Sequence, residues 1–176
     1  ANQFNITKFK WIFEGGDSNQ HSIRNGLWGL RDAGCDENDI ILVHDGVRPL
    51  VSERIISENI EKCQKYGYAI TGMICKEAIM QKVDDCVKNI DIPRERLVRT
   101  QTPHTYLLHT LLKAHEEADS KGIDGTVASC TLMAELGIED QHLVMGSEKN
   151  GLKLTQTEDV ELFKALKHTT KDEWLK

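Results

Sequence analysis

The sequence predicts an α/β fold in three layers, and three observations support it. Short apolar runs alternate with amphipathic stretches along the chain, which is typical of strands connected by helices. The run Ile40–Val43 is apolar throughout and mostly β-branched, which predicts a strand buried on both faces. This run stops at His44 and Asp45, and a helix signature begins soon afterwards at Ser52. A length of 176 residues indicates one domain.

The predicted strands are short apolar runs bounded by turn residues. They cover residues 10–13, 40–43, 68–75, 142–145 and 152–155. Residues 1–8 carry no periodic signal and are expected to be irregular. Residues 79–100 differ from the rest, because short alternating pieces flank a polar, charged middle, and this pattern predicts a hairpin arm.

Apolar positions that recur three or four residues apart predict five helices. They are expected at residues 22–33, 53–66, 105–119 and 127–136, and from about residue 157. Ser22 and Ser52 are plausible N-caps of the first two helices, and Gly34 and Gly67 are typical helix stops. The expected core faces contain Ile23, Leu27 and Leu30, then Ile56, Ile60 and Cys63, then Leu108, Leu111, Leu112 and His115, and finally Val160, Phe163 and Leu166.

The composition restricts the classes of partner. Hydrophobic residues make up 39% and charged residues 28% of the chain, as in ordinary soluble globular proteins. The net charge of −6 argues against binding to bulk nucleic acid or a membrane surface, and no apolar run approaches the roughly 18 residues of a membrane span. The 5 cysteines are widely spaced without a CxxC motif, which indicates reduced thiols. We therefore expect a cytoplasmic protein without a signal peptide.

Asp45 and Arg48 are the first candidate functional residues. They follow a buried strand, and open α/β sheets bind ligands at the carboxyl ends of such strands. A carboxylate can hold a cation while a neighbouring guanidinium pairs with phosphate oxygens, so the pair suits a metal-bound phosphate. A salt bridge or cap at the end of the strand explains the same residues equally well.

Four motifs occur in one order along the chain and together are specific. They are Gly15-Gly16-Asp17 followed by Ser22, then Val-His-Asp-Gly-Val-Arg-Pro at residues 43–49, then Gln101-Thr102-Pro103, and finally Leu-Lys-Leu-Thr at residues 152–155. The chain resembles the CTP-dependent cytidylyltransferases that make CDP-methylerythritol or CDP-ribitol, and the resemblance extends over nearly its whole length. It implies a Rossmann-like nucleotide-diphospho-sugar transferase fold, truncated at the N-terminus, with a protruding β-arm.

The resemblance implies transfer of CMP from CTP to a linear polyol phosphate, with release of pyrophosphate and with Mg²⁺ as cofactor. It places Gly15, Gly16, Asp17, Ser22 and Asp45 at CTP, with Asp45 also holding the metal. It places Arg48, Arg94, Thr102 and Lys153 at the acceptor phosphate. The catalytic set it implies is Asp45, Arg48 and Lys153. Residues 79–100 are similar to the dimerisation arm of the family, from which we expect a homodimer.

These residue types suit the implied chemistry. The acceptor phosphate is already a nucleophile, so catalysis consists of positioning and of neutralising charge on the α-phosphate. Two of the assignments depend on the resemblance. Lys153 alternates with Leu152 and Leu154 and can equally point to solvent, and Arg94 in a charged loop is ordinarily a solvated residue.

Departures from the family also carry expectations. The family opens with a strand and a glycine-rich loop that grips the triphosphate, whereas this sequence begins near the family's third strand. We therefore expect an apolar edge beside the strand at residues 40–43 and little or no catalysis by this chain alone. Glu77-Ala78 and Val127-Ala128 replace hydroxyl and carboxylate groups of the methylerythritol enzymes, which favours ribitol 5-phosphate. Methylerythritol phosphate, a non-catalytic dimerisation or regulatory domain, and a different nucleotide binder are the alternatives.

Overall fold

The computed structural model describes residues 6–168, so residues 1–5 of the predicted irregular lead-in lie outside the described residues. The helices are α1 (Asn19–Asp32), α2 (Glu53–Tyr66), α3 (Leu108–Lys121), α4 (Ser129–Glu135), α5 (Glu148–Gly151) and α6 (Thr157–His168). The strands are β1 (Ile40–Val43), β2 (Tyr68–Ile74), β3 (Met80–Val83), β4 (Cys86–Asn89), β5 (Val98–Leu107) and β6 (His142–Met145). Within the described range, no helix is both long and apolar enough to span a membrane.

The chain divides into two compact units. One contains the described residues up to Asp39 together with Leu107–Glu139, and the other contains Ile40–Tyr106 together with the described residues from Asp140 onwards. In the first unit, α1 packs on α3 and α3 packs on α4. The buried Gln20 side chain joins α1 to the loop before α4, because its amide oxygen accepts from the backbone and hydroxyl of Thr126 at 2.9 and 2.8 Å.

The second unit is built on a mixed sheet with the strand order β1-β5-β2-β6. Strand β2 runs antiparallel to β5 and parallel to β6. Helix α2 packs on this sheet through a fully buried cluster of Ile55, Ala69 and Val144, against which Val51 packs. Strands β3 and β4 form a separate antiparallel hairpin within residues 79–100. Its second strand lies in the polar middle of that segment, and the segment's last residues, from Val98, belong to β5 of the main sheet, so the hairpin prediction is correct only for the first part of the segment.

Elements with strong local signals agree with the sequence. Helix α2 covers the predicted residues, Ser52 accepts a hydrogen bond from the Ile55 amide, and Gly67 ends the helix in the left-handed conformation at φ 87°. Strand β6 and the start of α6 also occur where they were predicted. The four residues expected on the core face of α3 are all buried, namely Leu108, Leu111, Leu112 and His115.

Two predicted strands are wrong. Residues 10–13 and 152–155 have no strand structure. A strand needs a neighbouring strand that takes up its backbone hydrogen bonds, and no described strand pairs with either segment. Because the first segment is not part of a sheet, its Ile12 side chain remains 82% exposed. The second makes one backbone contact with the turn after β1, through the Leu154 amide and the Val47 carbonyl at 2.8 Å.

Several boundaries and faces also need correction. Helix α1 begins before Ser22, because Ser18 is the N-cap and accepts from the His21 amide. The third helix starts at Leu108 rather than near residue 105, because β5 continues to Leu107 in pairing with β2. The buried face of α2 consists of Ile55, Asn59 and Cys63 rather than Ile56, Ile60 and Cys63. Strand β1 lies at an edge of the sheet, as expected, and is therefore half-buried rather than buried on both faces.

Candidate functional site

Three charged side chains meet at the turn after β1. Asp45 Oδ2 lies 3.0 Å from Arg48 Nε and 3.3 Å from Lys153 Nζ. Lys153 lies about a hundred residues further along the chain, and its Nζ reaches the same carboxylate although its side chain is 46% exposed. The structure therefore brings together the three residues that the sequence resemblance placed in the catalytic set.

The turn itself is fixed by a chain of polar contacts. The Arg48 amide donates to the Asp45 carbonyl at 2.9 Å, and the Asp45 amide donates to Thr102 Oγ1 at 3.0 Å. His44 lies between them, with Nδ1 3.1 Å from Thr102 Oγ1 and Nε2 2.9 Å from the Arg48 carbonyl. A carbonyl only accepts, so His44 Nε2 carries the proton and Nδ1 accepts from the Thr102 hydroxyl. Thr102 thus holds the backbone of Asp45 in place.

The segment before Lys153, which includes helix α5, is fixed next to this turn. The buried Gln101 amide on β5 donates to the Ser147 carbonyl at 3.1 Å and accepts from the fully buried Asn150 side chain at 2.9 Å. Gly146 and Gly151 enclose this amide so closely that a Cβ at either position would collide with it. Arg48 Nη1 then donates to the Gly151 carbonyl at 2.5 Å. The segment before Lys153 is therefore joined to both β5 and Arg48.

Gln101 and Asn150 were not identified from the sequence as a contact pair. The sequence identifies Gln101-Thr102-Pro103 only as one of the motifs that carry the resemblance, and nothing in the residues around Asn150 indicates burial. Their contact spans 49 positions. Position 151 suits glycine, because a Cβ there would collide with the Gln101 amide.

The charged side chains in the site change the pKa of the Asp45 carboxyl. Partial burial acts to raise the pKa of the Asp45 carboxyl, but hydrogen bonds and positive charge from Arg48 and Lys153 outweigh burial and hold the pKa below its usual value. Asp45 is therefore a carboxylate at neutral pH. Nearby on β5, burial lowers the pKa of His104 to about 4, and its Nε2 has no hydrogen-bond partner. His104 is therefore a neutral residue buried within strand β5.

The donor set suits a metal ion that arrives with phosphate. Among residues 6–168 there is no group of three or more His, Cys, Asp or Glu side chains that could hold a metal. Mg²⁺ commonly uses one or two carboxylates and fills its remaining positions with water and substrate phosphates. Asp45, whose Oδ2 is engaged with two cations, can supply one such carboxylate.

The residues expected at the nucleotide lie in the other compact unit. The Gly16 amide donates to Ser22 Oγ at 3.0 Å, and Ser22 Oγ donates to the Ser18 carbonyl at 2.9 Å. A Cβ at Gly16 would collide with His21. Gly15, Gly16 and Asp17 are exposed, so the Asp17 carboxylate is open to a ligand, while the Gly16 amide is already engaged by Ser22.

Arg94 is not among the residues that contact Asp45. It lies in the 3-10 turn Arg94–Arg96, where Nε is 3.2 Å from Glu95 and Nη1 donates to the Lys76 carbonyl at 3.3 Å. It lines a cavity of about 480 Å³ in the arm together with apolar residues such as Ile79 and Ile92. Within one copy of the chain, Arg94 and Arg48 therefore line different cavities.

Comparisons with known proteins identify the family to which the chain belongs. A family model described as "IspD: 2-C-methyl-D-erythritol 4-phosphate cytidylyltransferase" matches residues 2–168. The chain belongs to the IspD family. Its family and fold class are therefore as the sequence predicted, and the members of this family are nucleotidyltransferases.

Two relatives and one solved structure show how similar this chain is to known proteins. The ribitol-5-phosphate cytidylyltransferase of Lacticaseibacillus paracasei is 43% identical, covering 93% of this chain and 69% of the relative. The enzyme of the same name from Vibrio parahaemolyticus is 36% identical, with 93% and 68% covered. The crystal structure of 2-C-methyl-D-erythritol 4-phosphate cytidylyltransferase from Thermus thermophilus has a TM-score of 0.74 at 28% identity, covering 89% of this chain and 72% of that chain.

Proposed function

We propose that this protein carries out cytidylyl transfer from CTP to a polyol phosphate, with D-ribitol 5-phosphate as the acceptor. The convergence of Asp45, Arg48 and Lys153 carries this proposal, because two cations held by one carboxylate form a site for phosphate oxygens. Membership of the IspD family supports the reaction, and the relatives at 43% and 36% identity, both named ribitol-5-phosphate cytidylyltransferase, support the acceptor.

In the proposed reaction, an acceptor phosphate oxygen attacks the α-phosphorus of CTP. The bond from the α-phosphorus to the bridging oxygen breaks, and pyrophosphate leaves with that electron pair. The acceptor phosphate is ionised at neutral pH, so no general base is needed. Lys153 and Arg48 neutralise charge that develops on the phosphates, and Asp45 keeps both cations in place. Mg²⁺ held by Asp45 would add further charge neutralisation when bound.

The remaining parts of the proposal concern the other predicted residues. Gly15, Gly16, Asp17 and Ser22 would contact CTP, and Arg94 would reach the acceptor phosphate in a partner subunit of a homodimer. The apolar exposure of the arm supports an interface there, since its exposed apolar side chains include Ile79, Met80, Val87 and Ile92, at 43%, 47%, 65% and 50%. A cytoplasmic location is supported by the cysteines, because all 5 are free thiols.

Methylerythritol phosphate is the second candidate acceptor, because the matching family model and the Thermus thermophilus structure carry that name. The absence of hydroxyl groups at Ala78 and Val127 argues for ribitol 5-phosphate instead. Discrimination between the two is therefore the measurement that matters most for the substrate.

The test has two stages. Calorimetry with CTP and ATP, each with and without Mg²⁺, measures nucleotide choice, and we expect CTP to bind and to require Mg²⁺. Product formation is then followed by ³¹P NMR at high protein concentration with each acceptor. A CDP product from ribitol 5-phosphate at a tenfold higher kcat/KM than from methylerythritol phosphate is the expected result. A chain that binds CTP no more tightly than ATP, or that binds ribitol 5-phosphate no more tightly than methylerythritol phosphate, would contradict the proposal.

A further inference from the structure

A polar cavity of about 270 Å³ opens beside the Asp45 turn. Its lining includes Arg48, Arg99, Gln101 and Glu148, together with the backbone around Gly151. Arg48 is therefore shared between this cavity and the carboxylate of Asp45. A small anion placed against Arg48 would have the rest of the cavity available for its uncharged part.

The cavity wall contains one ion pair whose structural contribution is small. Arg99 Nη2 lies 2.7 Å from Glu148 Oε2, and the two side chains are 54% and 63% exposed. Exposed ion pairs of this kind contribute little to the stability of a protein. Replacing the contact between Arg99 and Glu148 by hydrogen bonds to a ligand therefore costs little free energy. The buried amides of Gln101 and Asn150 already hold α5 against β5 without the ion pair.

We propose that this cavity is the subsite for the polyol chain of the acceptor, in which Arg99 and Glu148 bind its hydroxyl groups while Arg48 faces its phosphate. This inference rests on the proposed function and adds two specificity-determining residues to it. A carboxylate accepts hydrogen bonds from neighbouring hydroxyls and a guanidinium donates to hydroxyl oxygens, so together they suit a chain that carries a hydroxyl on each carbon. A methyl-branched chain with fewer hydroxyls leaves part of this polar wall without partners.

Binding measurements on single variants test the assignment. We expect Glu148→Gln and Arg99→Ala each to weaken ribitol 5-phosphate binding about tenfold, the loss expected for one charge-assisted hydrogen bond. Inorganic phosphate, which lacks hydroxyl-bearing carbons, should bind Glu148→Gln as it binds the wild type. The KM for CTP should change less than twofold in both variants. Thermal unfolding of each variant checks that the fold is intact.

A charge swap separates recognition from structure. The double variant Arg99→Glu with Glu148→Arg keeps an ion pair between β5 and α5 but reverses its polarity. If the pair only joins two elements, the swap restores acceptor binding, and that result overturns the inference. If the pair binds the polyol, affinity for ribitol 5-phosphate stays at least tenfold reduced. The matched control is the same swap at Arg54 and Glu58, an exposed pair 2.8 Å apart on α2, which should leave acceptor binding unchanged.

The two proposals can fail independently. A wild-type chain that binds CTP no more tightly than ATP, yet binds ribitol 5-phosphate in a manner that depends on Glu148, refutes the proposed function and supports the subsite. A wild-type chain that forms product, with acceptor affinity and KM unchanged in Glu148→Gln, overturns the subsite and leaves the transferase standing. A wild-type chain that does not bind ribitol 5-phosphate overturns the subsite directly.

Discussion

The turn around Asp45 and the loop at Gly15–Asp17 both carry predicted substrate residues, but they are built in different ways. The Asp45 turn is held by contacts between residues far apart in sequence, since Asp45 bonds to Thr102 across 57 positions and Arg48 to Gly151 across 103. The loop is held by local contacts at exposed sites, in which the Gly16 amide donates to Ser22 Oγ across 6 positions and Asn25 Nδ2 donates to the Gly15 carbonyl across 10.

This difference separates two tasks of a nucleotidyltransferase site. Charged groups that act on a reacting phosphate must already be in position, because reorganising them during the reaction would raise the barrier. Contacts with a base or ribose contribute to affinity and tolerate local adjustment on binding. A densely bonded turn suits the first task and a locally held loop suits the second. The comparison predicts that substitutions in the two regions will affect different measured quantities.

The largest effect is expected at Asp45. Asp45→Asn removes the charge that holds Arg48 and Lys153 together and any metal ligation by this carboxylate. We expect kcat/KM for CDP-polyol formation to fall on the order of 10² to 10³-fold, the loss typical of a preorganised electrostatic group. The control is Glu58→Gln, which removes an exposed ion pair on α2 and should leave turnover unchanged. Activity within threefold of wild type in Asp45→Asn would remove Asp45 from the catalytic set.

The next effect concerns the buried amide pair. Asn150→Leu leaves the Gln101 amide oxygen and the Thr102 carbonyl without the donor that now serves both, at 2.9 and 3.2 Å. A buried acceptor without a partner costs about 1–3 kcal/mol, so we expect a loss of roughly 3 kcal/mol in the free energy of unfolding, measured in urea. Asn38→Leu, at an exposed position, is the matched control and should stay within about 0.5 kcal/mol. Equal losses in both variants would show that burial of the pair does not matter.

The same distinction between local and distant contacts explains what could be predicted from the sequence. Helix α2 was predicted to the residue because Ser52, Gly67 and its apolar spacing lie within the helix and its caps. The strands at residues 10–13 and 152–155 were wrong because strand formation depends on a partner that the local sequence does not reveal.

The residues of the candidate site also differ in whether a local sequence signal identifies them. Asp45 and Arg48 could be identified from the end of an apolar strand, which is a local signal. Lys153 could be assigned to the site only through the resemblance, because nothing near it in sequence indicates that its Nζ lies 3.3 Å from Asp45 Oδ2. Gln101 and Asn150 were missed as a pair, since a polar residue in a strand or short turn is ordinarily exposed.

A smaller effect should appear as a pH dependence in the unit that contains the loop. Burial lowers the pKa of His115 to about 4, and neither ring nitrogen has a hydrogen-bond partner. Since the unfolded histidine titrates near 6.5, the unfolded state binds more protons between pH 6.5 and pH 4, and stability falls as the pH falls through that window. His115→Leu should flatten this slope by up to about 1.4 kcal/mol per pH unit. Urea unfolding at a series of pH values measures the slope.

The pH scan contains its own control. Above about pH 7.5 the histidine is neutral in both states, so the wild type and His115→Leu should show parallel stability curves there. His104 provides the matching case in the other unit, since burial also lowers its pKa to about 4. If the slope between pH 4 and pH 6.5 is the same in His115→Leu as in the wild type, burial of His115 does not control its ionisation.

The smallest effect on stability is expected at Ser22. Ser22→Ala removes the hydroxyl that accepts from the Gly16 amide and donates to the Ser18 carbonyl, and both bonds are local and largely exposed. We expect a loss within about 0.5 kcal/mol in the free energy of unfolding, together with CTP binding weakened about threefold to tenfold, measured by calorimetry. Ser120→Ala is the control, because it removes a comparable exposed hydroxyl contact in the same unit, with the Glu117 carbonyl at 2.7 Å. If Ser22→Ala lowers stability as much as Asn150→Leu, or leaves CTP affinity equal to that of Ser120→Ala, the contrast between a positioned turn and a nucleotide-binding loop is wrong.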